Sequence, residues 1–316
     1  MILTAGLTPA WQQVMVFDDL RLGQVNRARE AHWCASGKVL NAGIAAHRLG
    51  GPSLTLATVG GPPLSEIERD FQALGVPHRW ILTHSATRVC TTLLDRRDGT
   101  ITELVENGRP LAEEELDRFR TAYAEEVARA DVAVVIGSLP SGTRDTFYRE
   151  LLALTPCPAI LDFRGAGLLS VLDLRPYAVK PNREELALTV DFPLATDDDV
   201  WRAMRSLNER GAQWVIVTQG GGPVWISSAS NRRFRLHPPK AREVVNPIGC
   251  GDALAATIAW ATRNGRPLLE AARLGMAAAA ANLRQMFPCR FDTSRIEEEA
   301  RDVEIETMPE VRSSNS

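Results

Sequence analysis

Apolar and polar positions along the chain follow two alternating periods. Short β-rich runs, SLTLATVG (53–60), DVAVVIGS (131–138), PAILDF (158–163), YAVKPN (177–182) and QWVIVTQG (213–220), are mostly continuous in hydrophobic character. Between them lie amphipathic stretches such as SEIERDFQALG (65–75), TRDTFYRELLAL (143–154) and EELALTV (184–190). This alternation predicts a parallel sheet with crossover helices. DVAVVIG is nearly all apolar, as a central strand covered on both faces requires. Near the end, DALAATIAWATRNG (252–265) and LEAARLGMAAAAANLRQM (269–286) predict two consecutive Ala-rich helices. Two segments break the pattern: 15–33, and TRVCTTLLDRRDGTITELVE at 87–106. Both alternate like strands and neither runs at once into a helix, so they are expected to form a small sheet projecting from the main one. From about Ile296 the chain is charged and then Ser-rich, and it is expected to fray.

Composition narrows the classes. The 36 basic and 39 acidic side chains of the 316 residues nearly cancel, to a formal charge of −3, so no basic field exists for nucleic acid or an anionic membrane. An anionic ligand must then be met by a few local cations. Five cysteines, an odd number without metal-ligand spacing, suit a reducing cytoplasm better than a disulfide framework. No apolar run approaches the roughly 20 residues that span a bilayer, and the start lacks a basic leader pattern.

The most specific local signal is VVNPIGCGDALAATIAWA (244–261), a β-branched strand end running through Pro247 and two glycines into a helix. Gly249 and Gly251 allow backbone N–H groups to converge, and the helix behind adds its positive end, which together make an anion site. Asp252 then stands where a carboxylate accepts a proton from an attacking hydroxyl. On local grounds alone, Asp252 as a helix N-cap is the better account. Other segments bear on the choice. SGKVLNAGIAAHRLGG (36–51) holds Gly37, Lys38 and Asn41; alone, these read as an ordinary loop and a helix start. IGSLPSG closes the apolar strand with a turn whose Ser138 offers a hydroxyl and an N–H. VKPNREEL spaces Asn182 and Glu185 three apart, which alone reads equally well as a capping box. VTQGGGPVWI (217–226) puts three glycines after a strand, as a plain hairpin turn would.

In this order, VNRAR, GKxxN, TRVCTT, GSLPSG, KPNREEL and NPIGCGD resemble the ribokinase-like carbohydrate kinases of the phosphofructokinase B family, in its branch with 1-phosphofructokinase and tagatose-6-phosphate kinase. The resemblance runs from the N-terminal TPA to about residue 290. It implies a doubly wound α/β fold with helices on both faces of a mostly parallel sheet, in one domain spanning 1–305. It adds a β-lid from about 10–33 and 87–107, with a flexible tail over 306–316. Lids of this branch commonly pair, which implies a homodimer. For mechanism it implies an ATP- and Mg²⁺-dependent kinase acting on a sugar phosphate. Asp252 corresponds to the base, and the N–H groups of Gly249, Cys250 and Gly251 to the cradle of the transferring phosphoryl group. Lys180, Asn182 and Glu185 correspond to the nucleotide and Mg²⁺ side, Asn182 and Glu185 acting on the metal through water. Thr218 and Gly220 begin the nucleotide loop, and Asn282 approaches the adenine. On the sugar side stand Gly37, Lys38 and Asn41, with Lys38, Arg88 and Ser138 on a substrate phosphate and Arg27 in the lid.

The chain also departs from the family pattern at several positions. Gln12 in TPAWQQ stands where the family often has an Asp for sugar hydroxyls, and an amide donates as well as accepts. Ser36 replaces a frequent Gly, Pro223 a nucleotide-loop Gly, and Cys250 a usual Ala or Ser, where it reads as a small filler. Competing readings are a kinase for an unphosphorylated sugar or nucleoside, and a non-catalytic sugar-phosphate-binding descendant. A dinucleotide oxidoreductase or P-loop NTPase lacks its glycine motif here.

Overall fold

The computed structural model describes residues 1–239 and 244–309. A large sheet contains β1 (Ile2–Gly6), β4 (Ser53–Gly60), β5 (His78–Thr83), β8 (Val132–Ile136), β9 (Ala159–Asp162), β10 (Ala178–Val179) and β11 (Trp214–Val217), continued by β12 (Val224–Ser228), β13 (Arg233–His237) and β14 (Glu304–Met308). Its spatial order is β14-β13-β12-β11-β10-β9-β8-β1-β4-β5. Pairing is parallel from β5 through β11 and antiparallel from there to β14. A second sheet, in the order β3-β2-β6-β7, is built from β2 (Ala10–Phe17), β3 (Glu30–Ser36), β6 (Arg88–Asp95) and β7 (Ile101–Val105).

Helices α1 (Lys38–Arg48), α2 (Pro63–Leu74), α8 (Cys250–Arg263) and α9 (Leu268–Leu283) cover one face of the large sheet. Helices α3 (Glu113–Val127), α4 (Phe147–Ala153), α5 (Gly165–Leu169), α6 (Arg183–Val190) and α7 (Asp197–Glu209) cover the other. Central β8 accounts for the apolar run: Val134 and Ile136 enter the first layer, Ala133 and Val135 the second, and all are buried. The Ala-rich character of α8 and α9 reflects close approach, since a Cβ on Gly275 would lie 2.5 Å from Leu254 Cδ1.

The small sheet rises from the carboxyl ends of β1 and β5, the side on which open α/β sheets bind ligands. It matches the expected lid, with β2 and β6 in parallel register from Ala10↔Arg88 to Phe17↔Asp95. The expectation of a fraying tail from Ile296 is corrected. Residues Ile296–Glu299 form α10, with Ile296 buried, and β14 pairs with β13 from Arg233↔Met308 to His237↔Glu304. That pairing hydrogen-bonds an edge otherwise left open. The rest of the expected tail, 310–316, lies outside the described residues.

Candidate active site

A cavity of about 850 Å³ opens between the lid and the carboxyl edge of the large sheet. The lid and the start of α1 line one lobe, with Gln12, Gly37, Asn41 and Arg88; the 218–222 loop, Val244 and the apolar side of α9 line the other. The turn Gly249-Cys250-Gly251 and Asp252 lie where the lobes meet.

The cap of α8 is Gly249, at φ +87, and no side chain caps the helix. Asp252 is instead the third helical residue and is 6 % exposed, so the N-cap account is rejected. Its Oδ2 accepts from Asn41 Nδ2 at 2.8 Å, in a bond that joins α1 to α8. Burial raises the Asp252 pKa from 3.8 to about 6, the nearby Asp162 charge adds to the rise, and Lys38, Asn41 and Lys180 offset part of it. A carboxylate held near 6 suits a general base close to neutral pH. Of the three N–H groups expected to converge here, that of Cys250 is drawn back to Pro247 O at 3.2 Å. Gly251, second in the helix, has no intrahelical carbonyl for its N–H. A Cβ there would lie 3.3 Å from Lys180 Nζ, so the ammonium faces the turn directly. Burial pushes the thiol of half-buried Cys250 up to about 11, consistent with a small filler rather than a nucleophile.

Two lysines and two carboxylates form the floor. Lys38 Nζ lies 2.8 Å from Asp162 Oδ1 and 2.7 Å from Glu185 Oε1, while Lys180 Nζ lies 2.8 Å from Asp162 Oδ2. Burial favours neutral Asp162, but Lys180 and Lys38 outweigh it and hold the carboxyl below its usual value. The same carboxylates hold Lys38 protonated against its own burial. Asn182 and Glu185 do form the capping box: Asn182 Oδ1 accepts from Glu185 N at 2.8 Å, and Glu185 Oε2 from Asn182 N at 3.0 Å. That box fixes Glu185 at the cavity wall with its other oxygen on Lys38 Nζ, so the capping role leaves the residue in the lining. Asp162 was missed from sequence. Its signal was the acid within PAILDF, the last residue of the fully buried strand Ala159–Asp162, where an unpaired charge would be costly.

On the sugar side, Gly37 at φ +85 admits no side chain, because a Cβ would meet Ala10 N at 2.8 Å. Gln12 Nε2 donates to Thr92 Oγ1 at 2.8 Å within the lid. Arg88 donates to the carbonyls of Thr8, Pro9 and Glu106. Lys38 faces the carboxylate floor rather than the Arg88 side where a substrate phosphate was expected. Ser138 is exposed and outside the cavity lining; its carbonyl accepts from Thr8 Oγ1. Arg27 is exposed in the 18–29 loop, also outside the lining. Asn282 is corrected. It is 1 % exposed and donates to Ile248 O and Cys250 Sγ while accepting from Cys289 N, so it braces the anion turn instead of facing an adenine slot. Thr218 and Gly220 do line the second lobe, from a loop that is also the β11–β12 hairpin connection.

A doubly wound sheet, a small second sheet and a buried carboxylate behind a glycine turn bring a titratable group, backbone donors and two lysines to one cavity, an arrangement able to serve group transfer. Residues 11–290 match the model of the pfkB family carbohydrate kinases, and the chain belongs to that family. It is thus a sugar kinase, a phosphotransferase with an alcohol acceptor. Among solved structures it is similar to a possible 1-phosphofructokinase from Thermotoga maritima, at 22% identity and TM-score 0.88, covering 98% of this chain and 100% of that one. A putative phosphofructokinase from Staphylococcus aureus is 24% identical at TM-score 0.77, with 98% and 100% covered. Phosphofructokinase-2 from Escherichia coli, in complex with fructose-6-phosphate, is 22% identical at TM-score 0.81, with 95% and 100% covered. At these identities the likeness establishes the fold. No helix among the described residues is long and apolar enough to cross a membrane.

Proposed function

We propose that this kinase transfers the γ-phosphoryl group of ATP to a hydroxyl of a ketose phosphate, such as fructose 1-phosphate, fructose 6-phosphate or tagatose 6-phosphate. The observation that carries the reading is Asp252: buried, not a cap, tied to Asn41, and raised to about 6 where the two lobes meet. Asp252 takes the proton of the acceptor hydroxyl as that oxygen attacks the γ-phosphorus. The Gly251 N–H, the start of α8 and the Lys180 ammonium face the charge that develops on the transferring group.

Among the described residues no three His, Cys, Asp or Glu side chains gather as a metal cluster. Asp162 and Glu185 nevertheless already hold a cation between them, the Lys38 ammonium. That donor set fits Mg²⁺, which takes one or two carboxylates and completes its shell with water and phosphate oxygens. When bound, Mg²⁺ would neutralise charge on the nucleotide phosphates. Glu185, with Asn182 behind it, would hold it directly or through water.

Release of ADP, measured over a panel of sugars and sugar phosphates, tests the reading. Phosphosugar turnover in the parent and its loss in Asp252→Asn are expected; near-normal turnover in that variant overturns the assignment. A second reading, an unphosphorylated sugar or nucleoside acceptor, is favoured by one observation. Both Lys38 and Arg88 already have protein partners. Arg88→Ala separates the two, raising KM steeply for a phosphosugar and little for a neutral one.

We also infer a homodimer formed through the lid. On the face of the lid opposite Gln12, Trp33, stacked on half-buried Trp11 with ring centroids 5.9 Å apart, and Leu104 are 44 % and 54 % exposed. Five free thiols fit a reducing, cytoplasmic setting.

A further inference from the structure

Three side chains on the sugar side are almost fully buried and polar: Gln12 at 2 %, Ser36 at 1 % and Asn41 at 2 % exposure, all lining the cavity. Among the described residues, Ser36 Oγ and Asn41 Oδ1 have no hydrogen-bond partner. An unpaired buried hydroxyl or amide oxygen costs on the order of 1–3 kcal/mol, so two beside one cavity call for a ligand that pairs them.

Backbone geometry brings the two together. Gly37 caps α1, which makes Ser36 the residue before the cap and Asn41 the fourth helical residue. Those two positions face one another at a helix start, where an apolar pair usually packs. Here both are polar and neither bonds the other. The β2–β3 register sets Ser36 opposite Ala10, so its side chain leaves the same face of the lid as Gln12, two residues on. The Gln12 amide is anchored through Nε2 on Thr92, and Asn41 spends Nδ2 on Asp252. What remains unpaired at this wall of the cavity is two oxygens, Ser36 Oγ and Asn41 Oδ1, of which the hydroxyl is also a donor.

We propose that Ser36 is a specificity-determining residue: its hydroxyl, with Asn41 Oδ1, binds an acceptor hydroxyl next to the one that Asp252 deprotonates. That hydroxyl donates to Asn41 Oδ1 and accepts from Ser36 Oγ. Because Asn41 also holds Asp252, a correctly hydroxylated sugar is registered directly against the base. The substrate class is therefore a sugar phosphate with a free ring hydroxyl close to the reacting one, and its deoxy analogue is discriminated against. This inference rests on the sugar-kinase reading above.

The test is calorimetric titration of fructose 1-phosphate, fructose 6-phosphate and tagatose 6-phosphate into the parent and Ser36→Ala. For the tightest binder, the 3-deoxy and 4-deoxy analogues follow. Ser36→Ala is expected to raise Kd about tenfold, the size of one lost hydrogen bond to a buried group. For one deoxy analogue the parent and the variant are expected to bind equally. Ser36→Thr, which keeps the hydroxyl, is expected to stay closer to the parent than Ser36→Ala. Binding by the parent with an unchanged Kd in Ser36→Ala overturns the role of Ser36 alone. An equal loss for every deoxy analogue does the same, since it marks a structural effect. Failure of all three sugar phosphates to bind the parent overturns this inference and the phosphosugar reading together.

Discussion

Asp252 is expected to be an expensive residue for stability, and Asp252→Asn is the cleanest measure of that cost. The carboxylate is buried, and its pKa rises from 3.8 to about 6 on folding through burial and the neighbouring Asp162 charge. Above pH 7 both folded and unfolded chains carry the charge, and the folded chain holds it against that penalty. The gap between 3.8 and about 6 corresponds to roughly 3 kcal/mol, at about 1.4 kcal/mol per pKa unit. Relaxation and water entry reduce the expected gain in Asp252→Asn to about 2 kcal/mol. The sign follows from linkage: the folded state binds the proton more tightly, so stability is greatest below pH 3.8 and declines as pH rises through 6. The variant's advantage should therefore be full at pH 8, half gone near pH 5, and absent near pH 4. The Asn41 bond can persist, because an amide oxygen still accepts from Nδ2. Urea unfolding at pH 8 and pH 5 reads the stability; ADP release reads turnover, which should fall by several orders of magnitude. Activity of the parent should itself fall as pH drops through about 6. A variant no more stable than the parent at pH 8 would refute the desolvation argument, even if its turnover were lost.

Lys180→Met should lower stability by about 3 kcal/mol, because it strips one partner from fully buried Asp162; an unchanged urea midpoint would deny that ion pair a structural role. Asn282→Ala should cut kcat tenfold or more while leaving ATP affinity within about threefold, since it unbraces the turn and lies outside the cavity lining. A rise in the ATP Kd with kcat intact would restore the adenine contact. Trp33→Lys should shift sedimentation from dimer to monomer at micromolar protein; a parent that sediments as a monomer removes the lid interface altogether.

Much of this architecture was legible because buried parallel strands leave continuous apolar runs, as in DVAVVIG, and each helix that follows repeats its apolar face. The lid was legible by exception, as strand-like segments with no helix behind them. The last strand was not: Glu304, Ile305 and Glu306 are exposed on an edge, where neither face needs an apolar pattern, so the segment reads as tail. At the site, the glycine spacing around Asp252 pointed to a turn that does line the cavity, since a cap residue at φ +87 constrains sequence locally. Partner choice did not show. Nothing in KPNREEL or GKxxN says that Lys38 and Lys180 converge on Asp162, because that meeting is made by three separate strand ends and has no spacing along the chain. Asn282 misled for the same reason: one side chain at the end of α9 can turn toward the nucleotide lobe or the turn, and only packing decides which.

The lid's pairing also limits how this site can change by mutation over time. Residues of β2 alternate between the cavity, at Ala10 and Gln12, and the outer face, at Trp11, and β6 keeps step beside it through Arg88 and Cys90. Inserting or deleting one residue in either strand would turn Gln12 outward together with Val14 and Val16, which are buried on the same face. Substitution can thus tune acceptor choice one side chain at a time, whereas length variation is confined to the 18–29 loop and the 96–100 turn, where neither surface is disturbed.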